Sequence, residues 1–221
     1  MTRFSSDEQQ PASYGSFYWD ANGTAQIIET ANTPICIRNA TQGGLADWTF
    51  VAGSTGAITA YADAGGGEVT VTSGTHGLVT GDIISIRGTT NYNGVFEVTK
   101  VDDNNFKITD TWVADDGASD WDSPDYLLAG AATAGDYLVS MFVSCSEQGG
   151  AGSVCNWFLW INTTQQAGVA VQRKFSNNDV GSMGAGGEVD IAVGDRVFLT
   201  VQSDGTNTVT HKYGSLTIHR I

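Results

Sequence analysis

Apolar and polar residues alternate with a period of two along most of the chain, and no stretch carries a convincing helical stripe of apolar positions. The segment Tyr137–Val143 shows this most cleanly. Tyr137, Val139, Met141 and Val143 share one face, and Leu138, Ser140 and Phe142 share the other. Further strands are expected at Phe17–Trp19, Ala25–Ile28, Ile35–Arg38, Leu45–Val51 (with Trp48 and Phe50 on one face), Val169–Phe175, Glu188–Ala192, Arg196–Gln202 and Ser215–Ile221. Turn signals such as Asp20-Ala21-Asn22-Gly23 and Val193-Gly194-Asp195 separate them.

The texture changes after a small-residue linker at Ala62–Gly67. Short, evenly spaced strands are expected at Glu68–Thr72, Ile83–Arg87, Gly94–Val101 and Asn105–Asp110, which suggests a small barrel or sandwich. An acidic, turn-rich exit follows at Val113–Asp125, with Trp121 as its large apolar residue. The organisation expected is therefore a flexible polar arm at 1–13, one β domain made of 14–64 and 117–221, and an inserted small β domain at 65–116.

Val154–Ile161 reads V-C-N-W-F-L-W-I. Trp157, Leu159 and Ile161 point one way, and Phe158 and Trp160 the other, so both faces need cover. A buried aromatic removes about 150–250 Å² from water, so two such rings are a large area to leave exposed. Two readings are open. Either Phe142, Phe158 and Trp160 form a subunit interface, or a loop or the inserted domain covers the second face.

Composition narrows the partners. The chain has 221 residues, of which 41% are hydrophobic and only 15% charged, with 28 glycines against 3 prolines. That is enough apolar residue for a sizeable core, with many tight turns. The net charge of −14 repels a phosphate backbone and anionic membranes, so neither nucleic acid nor membrane is an expected partner. No apolar run approaches the length of a membrane span. The polar N-terminus lacks the apolar core of a secretory signal, which points to synthesis in a cytoplasm. Three cysteines, Cys36, Cys145 and Cys155, do not make a disulfide framework. Cys145 and Cys155 flank a glycine-rich turn and either pair across neighbouring strands or remain buried free thiols.

Candidate chemistry is sparse. No nucleophile elbow, zinc-protease helix motif or phosphate-cradling loop is present, and the glycine-rich stretches Gly65–Gly67, Gly149–Gly152 and Gly184–Gly187 are expected to be loops. His76 fits a turn residue bonded to nearby backbone better than a proton-transfer group. His211 and His219 fit packing or surface positions, with a metal on a three-fold axis as the sharper alternative. Asp102-Asp103-Asn104-Asn105 and Asp115-Asp116 offer oxygen atoms, but they lack the ligand spacing of a calcium loop. No cofactor, metal or enzymatic activity is expected. Trp112, Trp121 and Tyr126 flank the exit from the insert, where they either seal its joint to the larger domain or stack on sugar rings.

Several segments carry a resemblance. Ala134–Val139 (A-G-D-Y-L-V), Trp160–Asn162 (W-I-N), Val193–Leu199 (V-G-D-R-V-F-L) and Gly214–Ile221 (G-S-L-T-I-H-R-I) are strand-and-turn patterns. With them, Leu127–Ile221 resembles the C-terminal part of the tumour-necrosis-factor-like jelly roll of the complement globular head and of phage structural proteins. His76–Asp82 (H-G-L-V-T-G-D), Asn91–Gly94 (N-Y-N-G) and Asp103–Ile108 (D-N-N-F-K-I) resemble a small β module that recurs in phage tail and virion proteins. Together these imply an all-β fold, an antiparallel jelly-roll β-sandwich interrupted by a small inserted β-barrel-like domain. They also imply a homotrimer, because that jelly-roll family typically assembles around a three-fold axis. The function implied is that of a non-enzymatic virion structural protein of a bacteriophage, a capsid decoration or head-fibre protein. It would contact the major capsid protein or other virion proteins at the particle surface after synthesis in the host cytoplasm. The alternative is a tail-associated module that binds a receptor or host-surface glycan.

Overall fold

The computed structural model describes residues 13–20, 25–148, 152–176 and 178–221. Most of the polar arm, three residues of the Asp20–Gly23 turn and most of the Gly149–Gly152 stretch lie outside the described residues. The strands are β1 (Tyr14–Trp19), β2 (Ala25–Ile28), β3 (Ile35–Cys36), β4 (Thr41–Ala46), β5 (Trp48–Val51), β6 (Thr55–Ile58), β7 (Ala60–Gly65), β8 (Glu68–Thr72), β9 (Ile83–Arg87) and β10 (Gly94–Glu97). They continue as β11 (Thr99–Lys100), β12 (Asn105–Thr109), β13 (Ser119–Asp122), β14 (Tyr126–Ala129), β15 (Gly135–Gln148), β16 (Val154–Ile161), β17 (Thr164–Lys174), β18 (Val180–Ile191), β19 (Arg196–Ser203) and β20 (Asn207–Arg220). No helix occurs among the described residues, and the protein is all-β.

Two sheets form the larger body. Sheet I runs β18-β15-β20-β1-β4, with β2 beside β20; sheet II runs β17-β16-β19-β14-β5, with β3 beside β19. The pairs β1–β20, β14–β19, β15–β18 and β16–β17 are all antiparallel. From β14 onward the chain changes sheet at each strand, apart from the β16–β17 hairpin. This is the connectivity of a jelly roll, in which four antiparallel pairs are wound into two facing sheets. The inward rows of both sheets make one core. Phe17, Trp19, Tyr137, Val139, Met141, Leu216 and Ile218 from sheet I meet Trp48, Leu127, Trp157, Leu159, Val197, Leu199 and Val201 from sheet II. The alternation expected at Tyr137–Val143 is the one that lines this core.

Strands β6 to β13 form a separate small unit of two four-stranded sheets, β10-β9-β13-β6 and β11-β12-β8-β7, neither closed into a barrel. Ile58, Tyr61, Val69, Val71, Ile84, Ile86, Tyr92, Phe106, Ile108 and Trp121 fill the space between them. The strands of this unit extend on both sides of the 65–116 span expected from sequence. Thr55–Ile58 and most of the presumed linker pair into its sheets, and Ser119–Asp122 pairs with both β6 and β9. Small residues can form strands where a neighbouring strand supplies the ladder, and Gly56 shows why one is needed. It lies opposite Trp121, and a Cβ there would sit 2.7 Å from the indole ring.

Two expectations change. Leu45–Val51 is not one strand, because Asp47 adopts a left-handed φ of 69° and turns the chain from β4 in sheet I to β5 in sheet II. Gly184–Gly187 is not a loop. It lies inside β18, which pairs with β15 without interruption from Ser146–Val180 to Gly135–Ile191. Glycine carries no side-chain pattern, so only the partner strand reveals this one.

Candidate functional site

The outer faces of the two sheets differ. On sheet II, Trp160, Phe198 and Tyr126 stand side by side, since Trp160 pairs with Phe198 and Tyr126 pairs with Phe198. The Trp160 and Phe198 rings stack at 6.2 Å. The small unit covers them: Cys36, Phe198 and Ile83 form a third buried cluster, with Val95, Tyr126 and Trp160 packed against it. The indole of Trp160 donates to Thr200 Oγ1 at 2.8 Å. The second face of the aromatic strand thus meets the small unit at Trp160, while Phe158 is half-buried.

Polar contacts lock the same joint. The Cys36 amide donates to Ser85 Oγ at 2.9 Å. Asp122, buried, lies between two guanidinium groups, 2.8 Å from Arg38 and 2.8 Å from Arg87. Arg87 also reaches Glu29 at 3.1 Å and Asp120 at 3.4 Å. Asp125 accepts from the amides of Ala40 at 2.5 Å and Gly53 at 2.7 Å. Burial raises its pKa, and those two amides hold it back.

Sheet I has no such cover among the described residues. Its outer face carries Tyr14, Tyr18, Leu138, Phe142 and Tyr213, all exposed, with Phe142 at 45%. Register sets them in rows. One runs Glu188, Leu138, His219, Tyr14, and another runs Gly184, Phe142, Ser215, Tyr18. Between these two lies Gly186, Ser140, Thr217, Ser16. The last two rows contain no charged residue. The Tyr14 ring stacks on His219 at 6.2 Å. β17 and β18 are the edge strands of their sheets, 11 and 12 residues long, and they meet across the sandwich, where a Cβ on Gly187 would lie 3.2 Å from the Gly168 carbonyl oxygen.

The structure does not bring Phe142 together with Phe158 and Trp160. Phe142 lies on the outside of sheet I, and the other two on the outside of sheet II. Trp112 and Trp121 belong to the core of the small unit, and Tyr126 lies in a different cluster at the joint. Trp121 is 1% exposed in the small core and donates to Ser73 Oγ at 2.9 Å. Trp112 stacks on Tyr92 at 6.3 Å, and Tyr126 lies in the joint. None forms an open sugar-stacking platform with the others. Tyr14, Tyr18 and Tyr213 were not singled out in the sequence, although Tyr14 and Tyr18 share the outward face of one alternating strand; His219, expected at a packing or surface position, lies beside Tyr14. The insert as cover for the second face, and Tyr126 as a joint residue, were both expected; Ile83, Val95 and Phe198 were not, although the run I-I-S-I-R at β9 has apolar residues on both faces.

The turn carboxylates hold loops. Asp116 accepts from the amides of Thr90 and Asn91 and from the Asn91 side chain. Asp115 accepts from the amides of Tyr61 and Gly117. Asp102 accepts from the Asn104 amide and the Asn105 side chain. His76 joins two turns, accepting from the Leu78 amide at Nδ1 and donating from Nε2 to the Asp102 carbonyl at 2.9 Å. No group of three or more His, Cys, Asp or Glu among the described residues is placed to hold a metal. The chain matches no protein-family model and no curated protein.

Proposed function

We propose that the chain is a non-enzymatic structural protein of a bacteriophage particle, a capsid decoration or head-fibre protein that assembles as a homotrimer. The observation that carries this is the asymmetry of the two outer faces. The small unit covers the aromatics of sheet II, whereas sheet I presents Tyr14, Tyr18, Leu138, Phe142 and Tyr213 around uncharged rows. An apolar patch of that kind on a surface rimmed by polar residues marks an interaction site. The long unpaired edges of β17 and β18 are a second feature that native proteins cover. Seating the β17–β18 side of one copy on the bare face of the next covers both, and a head-to-tail contact of this sort closes into a three-membered ring when successive copies are related by a third of a turn.

The jelly-roll connectivity supports the resemblance to tumour-necrosis-factor-like proteins, and that resemblance favours three copies. The small unit would then face away from the three-fold axis. It holds eleven of the acidic residues and three of the basic ones between 55 and 122, a balance of −8 out of −14. Mutual repulsion keeps three such units apart and soluble.

Sedimentation equilibrium at micromolar concentration tests the assembly, with a mass about three times the 23.3 kDa chain expected. Phe142→Asp, at an exposed position, converts the trimer to monomer without loss of β signal. A stable monomer of the unmodified chain overturns the trimer. Immuno-labelling of purified particles tests the location. Label on the head supports the assignment, and label on the tail with binding to host cells or a glycan array moves it to a receptor-binding module.

A further inference from the structure

One end of the jelly-roll interior is polar. Asn207, Val209 and His211 point inward from β20, and across from Val209 stand Glu147 on β15 and Gln26 on β2. Four buried polar side chains therefore surround one valine. Three of their atoms, Gln26 Nε2, Asn207 Oδ1 and His211 Nδ1, have no hydrogen-bond partner among the described residues. Native interiors leave very few such atoms unpaired, and the usual partner that is not protein is an ordered water.

For His211 and Asn207 the donor and acceptor are fixed by the partners already made. His211 Nε2 accepts the indole N–H of Trp157 at 2.9 Å, so the ring proton is on Nδ1, which is a donor. Asn207 Nδ2 donates to Ser203 Oγ at 2.8 Å, which leaves Oδ1 as an acceptor. Reversing that amide would exchange which atom is orphaned without removing the orphan. Gln26 Nε2 is a second donor. Two donors and one acceptor, buried in a row that passes Val209, complement small molecules that both accept and donate.

We propose that this end of the sandwich binds ordered water, which accepts from Gln26 Nε2 and His211 Nδ1 and donates to Asn207 Oδ1. Inward residues two apart on a strand are about 6.8 Å apart, so Asn207 and His211 are separated by roughly 13 Å along β20. One molecule does not span that distance; a short file of two or three waters passing Gln26 does. The file would bridge β2 and β20 where apolar packing gives way to polar side chains.

A crystal structure at about 1.5 Å tests this directly. Solvent peaks within hydrogen-bond distance of Gln26 Nε2, Asn207 Oδ1 and His211 Nδ1 are expected. In solution, the Nδ1 proton of ¹⁵N-labelled His211 should show cross-relaxation to water. Gln26→Leu should remove the peak next to residue 26 while leaving the β signal intact. The proposal is overturned if the three atoms bond directly to protein groups, including those of residues 21–24, 149–151 or 177. It is equally overturned if the region is dry or if Gln26→Leu leaves every solvent peak in place. Should that variant fail to fold, the crystallographic and relaxation measurements on the unmodified chain decide the matter.

Discussion

The indole N–H of Trp157 donates to Nε2 of His211 across the jelly-roll core, at 2.9 Å. The acceptor must therefore be unprotonated. The imidazole is 1% exposed, stacked on Trp19 at 5.8 Å and edge-on to Trp157 at 6.2 Å. Burial lowers its pKa from 6.5 to about 4.

An acid sensitivity follows from that pair. A base whose folded pKa is depressed adds stability above its unfolded pKa and loses it as pH falls towards the folded value. Between pH 6.5 and 4 the loss is about 3 kcal/mol, since each pKa unit is worth about 1.4. Asp125 acts in the opposite sense, because its raised pKa favours the folded state as it protonates. Urea unfolding across this pH range should show the decline. His211→Phe should flatten it, at a cost of about 1–3 kcal/mol at neutral pH for the orphaned indole N–H.

The thiols should be silent in the folded protein. Burial pushes Cys145 up to about 12 and Cys155 up to about 11, and raises Cys36 further still. The thiolate is the reactive form, so a disulfide reagent at pH 8 should titrate none of the three within minutes. All three should react at once in denaturant. Free thiols are what the structure contains at each position.

Asp122 is the ionic centre of the joint. Removing one partner of a buried pair costs about 3–5 kcal/mol, because the opposite charge is left unpaired. Asp122→Ala takes from Arg38 its carboxylate partner, while Arg87 keeps Glu29 and Asp120. The loss should fall in that range, measured by denaturant unfolding. Glu29→Ala removes only the partly exposed arm of the same network, with a side chain 37% exposed, and should cost well under 1 kcal/mol.

How much of this was legible in the sequence depended on the kind of signal each residue gives. Alternation at Tyr137–Val143 and at Trp157–Leu159 identified inward faces, because those strands have one face in a large common core. The second face of Val154–Ile161 was recognised as needing cover, but periodicity cannot say from what. The answer required Ile83 and Val95 to arrive from a segment some 70 residues away. Strand β18 was invisible in part because glycines at 184, 186 and 187 give no pattern. Asp47 ended a strand by a backbone angle that an aspartate tolerates but does not advertise. The bare face of sheet I was half legible, since Phe142 stood out and Tyr14 and Tyr18 did not.

Gly214 offers the sharpest packing prediction. It sits on β20 beside Trp19 of β1 and Val143 of β15. A Cβ there would lie 2.7 Å from the Phe142 carbonyl oxygen and 2.9 Å from the Trp19 ring. Neither atom is the end of a flexible side chain: one is backbone in the middle of a ladder, and the other is an indole wedged against Phe17 at 5.3 Å. Gly214→Ala must therefore displace a strand or the ring, and overpacking of this kind costs about 1–3 kcal/mol. Because Trp19 also stacks on His211, the displaced ring should loosen the imidazole's surroundings. The variant should melt earlier by several degrees and show altered tryptophan fluorescence. Unchanged stability and fluorescence would mean that Trp19 does not pack against β20 as described.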